Sequence, residues 1–180
     1  MSENITAVSL FSGAGGMDVG FKNAGIKVLM ANEIDKMASK TFIENHPETK
    51  MIVDDINNIF PVLEEYRGVD IVFGGPPCQG YSMKGKKLGL DDPRNFLFRE
   101  YLDLVEKLQP DVFVIENVKG LLLSANGWFK DEIVKAVKKL GYTIEFDILN
   151  AADFGVPQSR ERAIFICSKH GAISLPKPTV

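Results

Sequence analysis

With 180 residues, 45% of them hydrophobic and 25% charged, and a formal net charge of −3, the chain has the make-up of one soluble globular domain. The slight acidity excludes a generally basic nucleic-acid coat, and no apolar run approaches the roughly 20 residues needed to span a bilayer. Two cysteines and two histidines make neither a disulfide framework nor a zinc cluster, and they fit a reducing cytoplasm.

Met1 to Thr6 lacks the basic and apolar regions of a signal peptide. Ile5 to Leu10 then reads as a first strand, running into the glycine-rich turn Phe11-Ser-Gly-Ala-Gly-Gly16 and a helix from Met17 to Ala24 that Gly25 stops. Strand, glycine turn and helix open a nucleotide-binding βαβ unit, because glycines let the backbone approach a ligand whose anionic group the helix N-terminus favours. The spacing is Gly13-x-Gly15-x-x-Asp18. The third dinucleotide glycine is absent and Asp18 sits badly beside a pyrophosphate, so a cofactor with only a carboxylate at the turn fits better.

A second strand, Lys27 to Ala31, is followed by Asn32-Glu33. Glu33 follows Gly13 by about 20 positions, where such folds place the acid that accepts from ribose hydroxyls; the plain alternative is a surface glutamate. Asp35 is suited to cap a helix running to about Glu44. A short third strand, Met51 to Val53, leads to Asp54-Asp55-Ile56, where Asp55 can accept from an adenine amino group or cap a turn.

The fourth strand, Val69 to Phe73, leads into Gly74-Gly-Pro-Pro-Cys-Gln-Gly-Tyr-Ser82. The prolines end ladder pairing, so Cys78 is presented just past the strand's carboxyl end, where open α/β sheets bind ligands. A thiol there is a candidate nucleophile; a structural cysteine is the alternative. Lys84, Lys86, Lys87, Arg94 and Arg99 outnumber Asp91 and Asp92 after it, a weak phosphate-binding signal.

Arg94 to Leu108 has helical periodicity, with Phe96, Leu97, Tyr101, Leu104, Val105 and Leu108 as candidate core. Val112 to Ile115 is a fifth strand leading to Glu116-Asn117-Val118. Phe11, Glu33, Asp55, Cys78 and Glu116 are thus expected at the carboxyl ends of five strands, on one rim. Phe129 to Leu140 is an amphipathic helix stopped by Gly141; Tyr142 to Leu149 and Ala163 to Cys167 are the sixth and seventh strands. Between them lies Gln158-Ser-Arg-Glu-Arg162. Arg160 and Arg162 lie two apart and so face one way on an extended segment, suiting a phosphate, a base edge or an Arg–Glu network. Cys167 reads as core, and Pro176 and Pro178 mark a tail or linker.

Phe11-Ser-Gly-Ala-Gly-Gly, Pro76-Pro-Cys-Gln, Glu116-Asn-Val and Gln158-Ser-Arg-Glu-Arg, in this order, resemble the DNA cytosine-5 methyltransferase family of bacterial restriction–modification systems, from about Val8 to Cys167. The resemblance implies a Rossmann-like methyltransferase fold, α/β with a mostly parallel, doubly wound sheet of about seven strands. It implies S-adenosyl-L-methionine as methyl donor, S-adenosyl-L-homocysteine as product, no metal, and a flipped cytosine in double-stranded DNA as substrate. By resemblance Cys78 is the nucleophile that adds to carbon 6, Glu116 contacts N3, Arg162 holds the cytosine and Arg160 the backbone or site geometry. Pro76, Gln79, Ser82, Asn117, Val118 and Gln158 would shape the substrate pocket. Phe11, Ser12, Gly13, Gly15 and Gly16 would cradle the cofactor, Glu33 its ribose, and Asp55 and Ile56 its adenine. Ile34 stands where some relatives have a large aromatic residue, and Pro77 and Leu97 would form the wall.

Family members continue with a target-recognition region and a final segment, so residues 1–180 are expected to be an incomplete catalytic and cofactor-binding domain. A fragment, one half of a split enzyme with a second polypeptide, and an inactive truncation all fit. The competing readings are a methyltransferase of transfer RNA using the same thiol chemistry, an NAD-dependent oxidoreductase, and a non-catalytic cofactor- or DNA-binding subunit. Asp18 and the Pro-Pro-Cys-Gln element argue against the oxidoreductase.

Overall fold

A computed structural model describes residues 5–77, 96–123 and 127–180. Seven strands form one sheet in the order β3-β2-β1-β4-β5-β7-β6. They are β1 (Thr6–Leu10), β2 (Lys27–Glu33), β3 (Lys50–Val53), β4 (Ile71–Gly74), β5 (Val112–Val118), β6 (Thr143–Asn150) and β7 (Glu161–Ser168). The helices are α1 (Gly16–Asn23), α2 (Lys36–Asn45), α3 (Phe60–Leu63), α4 (Phe96–Leu108), α5 (Gly120–Leu123) and α6 (Trp128–Lys139). None of those described is long and apolar enough to cross a membrane. By backbone contacts the chain divides into two compact units, residues 1–75 with 100–113, and residues 76–99 with 114–180.

In the first unit β1 pairs in parallel with both β2 and β4, and β2 in parallel with β3. The order therefore reverses at β1, and the carboxyl ends of β1 and β4 flank the switch point at which such sheets bind ligands. Ala7, Val8, Leu10, Met30, Ala31, Val72 and Phe73 are buried, as the apolar runs require. Phe21 of α1 stacks on Phe73, ring centroids 3.8 Å apart. The α4 side chains Tyr101, Leu104, Val105 and Leu108 are fully buried, as their helical spacing predicts.

Gly74 ends β4 opposite Leu10. A Cβ there would stand 2.1 Å from the Leu10 carbonyl oxygen and 3.2 Å from the Tyr101 ring, and backbone in a paired strand cannot retreat. Gly74→Ala is expected to cost about 3 kcal/mol, the upper end of overpacking effects. Thermal denaturation should show it as a loss of about 6–12 °C; an unchanged midpoint would mean that β1 and β4 shift freely.

In the second unit β6 runs antiparallel to β7, with Phe146 opposite Phe165. Ile115, Leu121, Phe129, Ile133, Val137, Ala163, Phe165 and Cys167 are among its buried apolar side chains, and burial pushes the Cys167 thiol well above the usual cysteine range. Phe98 meets Phe129 edge to face.

Several strands run further than the sequence predicts, β7 among them, which begins at Glu161 in place of Ala163. β2 continues through Asn32 and Glu33, which pair with Ile52 and Val53, and β5 continues through Glu116 and Asn117. Two stretches without periodicity hold short helical turns: Ile56 to Tyr66, with Pro61 in the first turn of α3, and Ala151 to Phe154.

Candidate functional site

In the first unit the turn after β1 is tightly specified. Phe11 adopts a left-handed backbone, φ 54°, rare for a bulky residue, and Gly13 and Gly15 follow at φ 56° and 88°. The next residue secures the turn: Ser12 donates its N–H (3.0 Å) and its hydroxyl (3.2 Å) to the Asn32 carbonyl. A Cβ on Gly15 would lie 2.5 Å from the His46 ring and 2.9 Å from Phe42, so this glycine is obligatory for packing as well as conformation. Around Gly13 and Gly16 a Cβ would meet nothing within 4 Å, the open space that backbone approach by a ligand needs.

Glu33 is no ordinary surface glutamate. Its Oε2 accepts from Gly13 N–H and its Oε1 from Asp35 N–H, each at 2.8 Å, so it locks the glycine turn while each oxygen keeps a lone pair for a further donor. Asp35 caps α2 through Met37 and Ala38 N–H. Asp55 Oδ1 accepts from Asn57 N–H at 2.9 Å, the turn-capping role its sequence context allows. Ile56 is buried beside it, while Ile34 presents an exposed aliphatic side chain next to Glu33.

Asp18, in the first turn of α1, is buried at 1% exposure, and among the described residues neither of its carboxylate oxygens has a hydrogen-bond partner; the buried Ser9 hydroxyl is in the same state. Burial raises the Asp18 pKa from its ordinary 3.8, and the nearby Ser9 hydroxyl and His46 offset only part of that. An acid with a raised native pKa contributes most to stability below its unfolded pKa, and that contribution is lost as pH climbs from there through the raised value. Asp18→Asn should therefore melt a few degrees higher than wild type at pH 7, with the gap closing as pH falls towards about 4. Equal midpoints across that range would show that the carboxyl is solvated.

In the second unit, Glu116 on β5 meets both arginines of the 158–162 segment. Arg162 Nε lies 3.0 Å from Glu116 Oε1 and an Arg160 terminal nitrogen lies 3.8 Å from the same oxygen. The period-two expectation that both guanidinium groups face one way is met, and their partner is the Arg–Glu network among the alternatives. Arg160 is further held through its backbone: its N–H donates to Asn150 Oδ1 at 2.9 Å and its carbonyl accepts from Ala151 N–H. Arg162 also donates to the Glu161 carbonyl at 2.8 Å, and Lys119 forms an ion pair with Glu161. Next in β5, buried Asn117 donates from Nδ2 to the Pro76 carbonyl at 2.8 Å, fixing the chain two residues before Cys78. Pro76 is buried; Pro77, Val118 and Gln158 are exposed, and Leu97 is half-buried near the start of α4. Cys78, Gln79 and Ser82 lie outside the described residues.

Sequence reasoning missed Asn32, Asn150, the buried Asp18 and the Lys119–Glu161 pair. The polar Asn32-Glu33 pair after an apolar run was the signal available for the first.

A model of C-5 cytosine-specific DNA methylases matches residues 5–179. The chain belongs to this family. It is 42% identical over 184 residues to the type II methyltransferase M1.HphI of Haemophilus parahaemolyticus, covering 98% of this chain and 49% of that one. It is 40% identical over 191 residues to M.AquIA of Picosynechococcus, covering 96% and 75%. Among solved structures, an E. coli protein described as a prophage-encoded DNA modification methyltransferase superposes with a TM-score of 0.79 at 32% identity, over 95% of this chain and 49% of that one. This C-5 cytosine methylase chain thus spans about half the length of two of these three relatives, and three quarters of M.AquIA.

Proposed function

We propose that the chain provides the chemistry of a DNA (cytosine-5) methyltransferase: transfer of a methyl group from S-adenosylmethionine to carbon 5 of a cytosine extruded from the duplex, through a covalent adduct with Cys78. The observation that carries this reading is the Glu116 carboxyl between Arg160 and Arg162, adjoining an Asn117 that fixes the chain leading to the thiol. The description of the matching family, C-5 cytosine-specific DNA methylases, supports DNA as the polymer.

Carbon 5 of cytosine is a poor nucleophile. A thiolate from Cys78 adding to carbon 6 converts the ring to an enamine, with carbon 5 as its nucleophilic end. Glu116 at N3 supplies a proton or hydrogen bond to the charge that develops there, and Arg162 and Arg160 hold the carboxyl in place. Once carbon 5 has taken the methyl group, a general base removes the proton left on that carbon, the carbon 6–sulfur bond breaks to release the Cys78 thiolate, and loss of the N3 proton restores the aromatic ring. The base must leave the stack first, at a cost of a few kcal/mol.

S-adenosylmethionine, when bound, supplies an electrophilic methyl group on a sulfonium. The first unit offers residues that would hold it: the open glycines would receive its polar end, Glu33 has acceptor capacity for ribose hydroxyls, and Asp55 and Ile56 would take the adenine edge. We place sequence recognition, and any second polypeptide that supplies it, outside the matched region.

The test is incubation of the protein with tritiated S-adenosylmethionine and unmethylated bacterial DNA, scoring 5-methylcytosine, alongside calorimetric titration with S-adenosylmethionine and with NAD. Label in 5-methylcytosine and binding of the sulfonium cofactor alone are expected. Methylation of transfer RNA in place of DNA, or binding of NAD, would defeat the assignment.

A further inference from the structure

Asn32 occupies a position that no catalytic or ligand role accounts for, yet both its side-chain amide and its main-chain carbonyl are engaged. It is 2% exposed in the middle of the first unit, on β2 between Leu10 of β1 and Ile52 of β3. Its side-chain amide donates to the Ile52 carbonyl at 3.1 Å and to the Asp54 carbonyl at 3.0 Å. Both partners are carbonyl oxygens, so the nitrogen must face them, and no residue that lacks two donors at this reach can replace it. Its main-chain carbonyl accepts both Ser12 bonds, immediately after the left-handed Phe11. Through its side chain and its carbonyl together, then, Asn32 ties the turn after β1 to the turn after β3, and Glu33, the next residue, closes on Gly13.

We infer that Asn32 is a positioning residue for the adenosyl half of the cofactor: its amide holds the Asp54–Ile56 turn where Asp55 can accept the 6-amino group. The inference rests on the cofactor reading above. Its physical content is selective. Only the side chain reaches the adenine-side turn, whereas the main-chain bonds to Ser12 survive any substitution. Asn32→Ala leaves two carbonyls without their donor, and Asn32→Asp keeps the shape but sets a carboxylate against them, which repels. Each change frees the Asp54 turn and should leave the glycine turn in place.

A general loss of folding weakens all ligands alike; loss of positioning alters the choice between them. The probes are S-adenosylhomocysteine and its inosine analogue, in which a 6-oxo group replaces the amino group. By calorimetric titration, wild type should prefer the adenine compound by at least about tenfold, the worth of one to two hydrogen bonds. Asn32→Ala should bind S-adenosylhomocysteine about tenfold more weakly and retain a preference of no more than about threefold. Should Asn32→Ala give no cooperative melt, Asn32→Asp carries the same comparison. A folded variant with wild-type affinity and wild-type preference overturns the inference and leaves the cofactor reading standing. A tenfold loss shared equally by both ligands also overturns it, by reducing Asn32 to a structural part. Wild-type protein that binds neither compound defeats the cofactor reading and the inference together, whereas wild type that binds both equally defeats the inference and leaves the cofactor reading standing.

Discussion

Cys78→Ser should reduce methyl transfer by about 10⁴-fold or more, in line with deletions of covalent nucleophiles elsewhere. The reason is acid–base chemistry before it is geometry. A free thiol with a pKa near 8.5 is a few per cent thiolate at neutral pH, and that thiolate is soft and strongly nucleophilic towards an electron-poor ring carbon. A serine hydroxyl is un-ionised at the same pH, and nothing in the proposed chemistry removes its proton. Sterically the exchange is slight, so the fold should be unchanged, and affinity for S-adenosylmethionine should stay within a factor of about three because binding of that ligand is assigned to other groups. Initial rates of label incorporation, thermal midpoints and calorimetric titration separate these statements. DNA carrying 5-fluorocytosine adds a direct readout: without a removable proton on carbon 5, elimination stalls and wild-type protein should remain attached to the base, visible by mass, whereas the serine variant should not. Wild-type turnover by the serine variant would remove Cys78 from the reaction.

Why the sequence revealed some of these parts and hid others follows from range. Thr6–Leu10 and the glycines behind it were legible because an apolar β-branched run and a left-handed turn are local matters. Arg160 and Arg162 share a partner because a strand's period is two, again local. Glu33 was legible by its spacing from Gly13, although its bond to Gly13 N–H, more than its exposure, shows why a carboxylate is needed there. The strand ends were read too short because Asn32-Glu33 and Glu116-Asn117 are polar and look like turns; pairing across β2–β3 keeps the first pair extended, and an ion pair and a carbonyl engage the second. Asn32 and Asp18 were opaque for a different reason. Whether a buried amide finds two carbonyls is decided by segments 20 or more residues away, and whether a buried carboxyl finds a partner among the described residues is decided by packing that composition does not encode.

Glu116→Gln is the second large effect, expected to lower kcat by about 10²- to 10⁴-fold, the range of a positioned proton donor. Glutamine matches the carboxyl in size and can still donate a hydrogen bond to N3, so the substitution removes proton transfer and charge while sparing shape. Its consequences for the fold are small and calculable in kind. Glu116 is 24% exposed and its partners Arg162 and Arg160 are 27% and 49% exposed, so the lost ion pairs lie in well-screened surroundings and are worth about 1 kcal/mol at most. The neighbouring Asn117–Pro76 bond does not involve the carboxyl and should persist, keeping the chain before Cys78 where it is. The thermal midpoint should thus move by no more than about 2–4 °C, and cofactor affinity not at all. The contrast with Cys78→Ser lies in the 5-fluorocytosine adduct: the glutamine variant retains the thiol and should still form it, but slowly, in step with its turnover. A glutamine variant that forms adduct at the wild-type rate yet turns over slowly would move Glu116 from addition to a later step. One that turns over normally would make the Glu116–arginine network a structural clasp and nothing more.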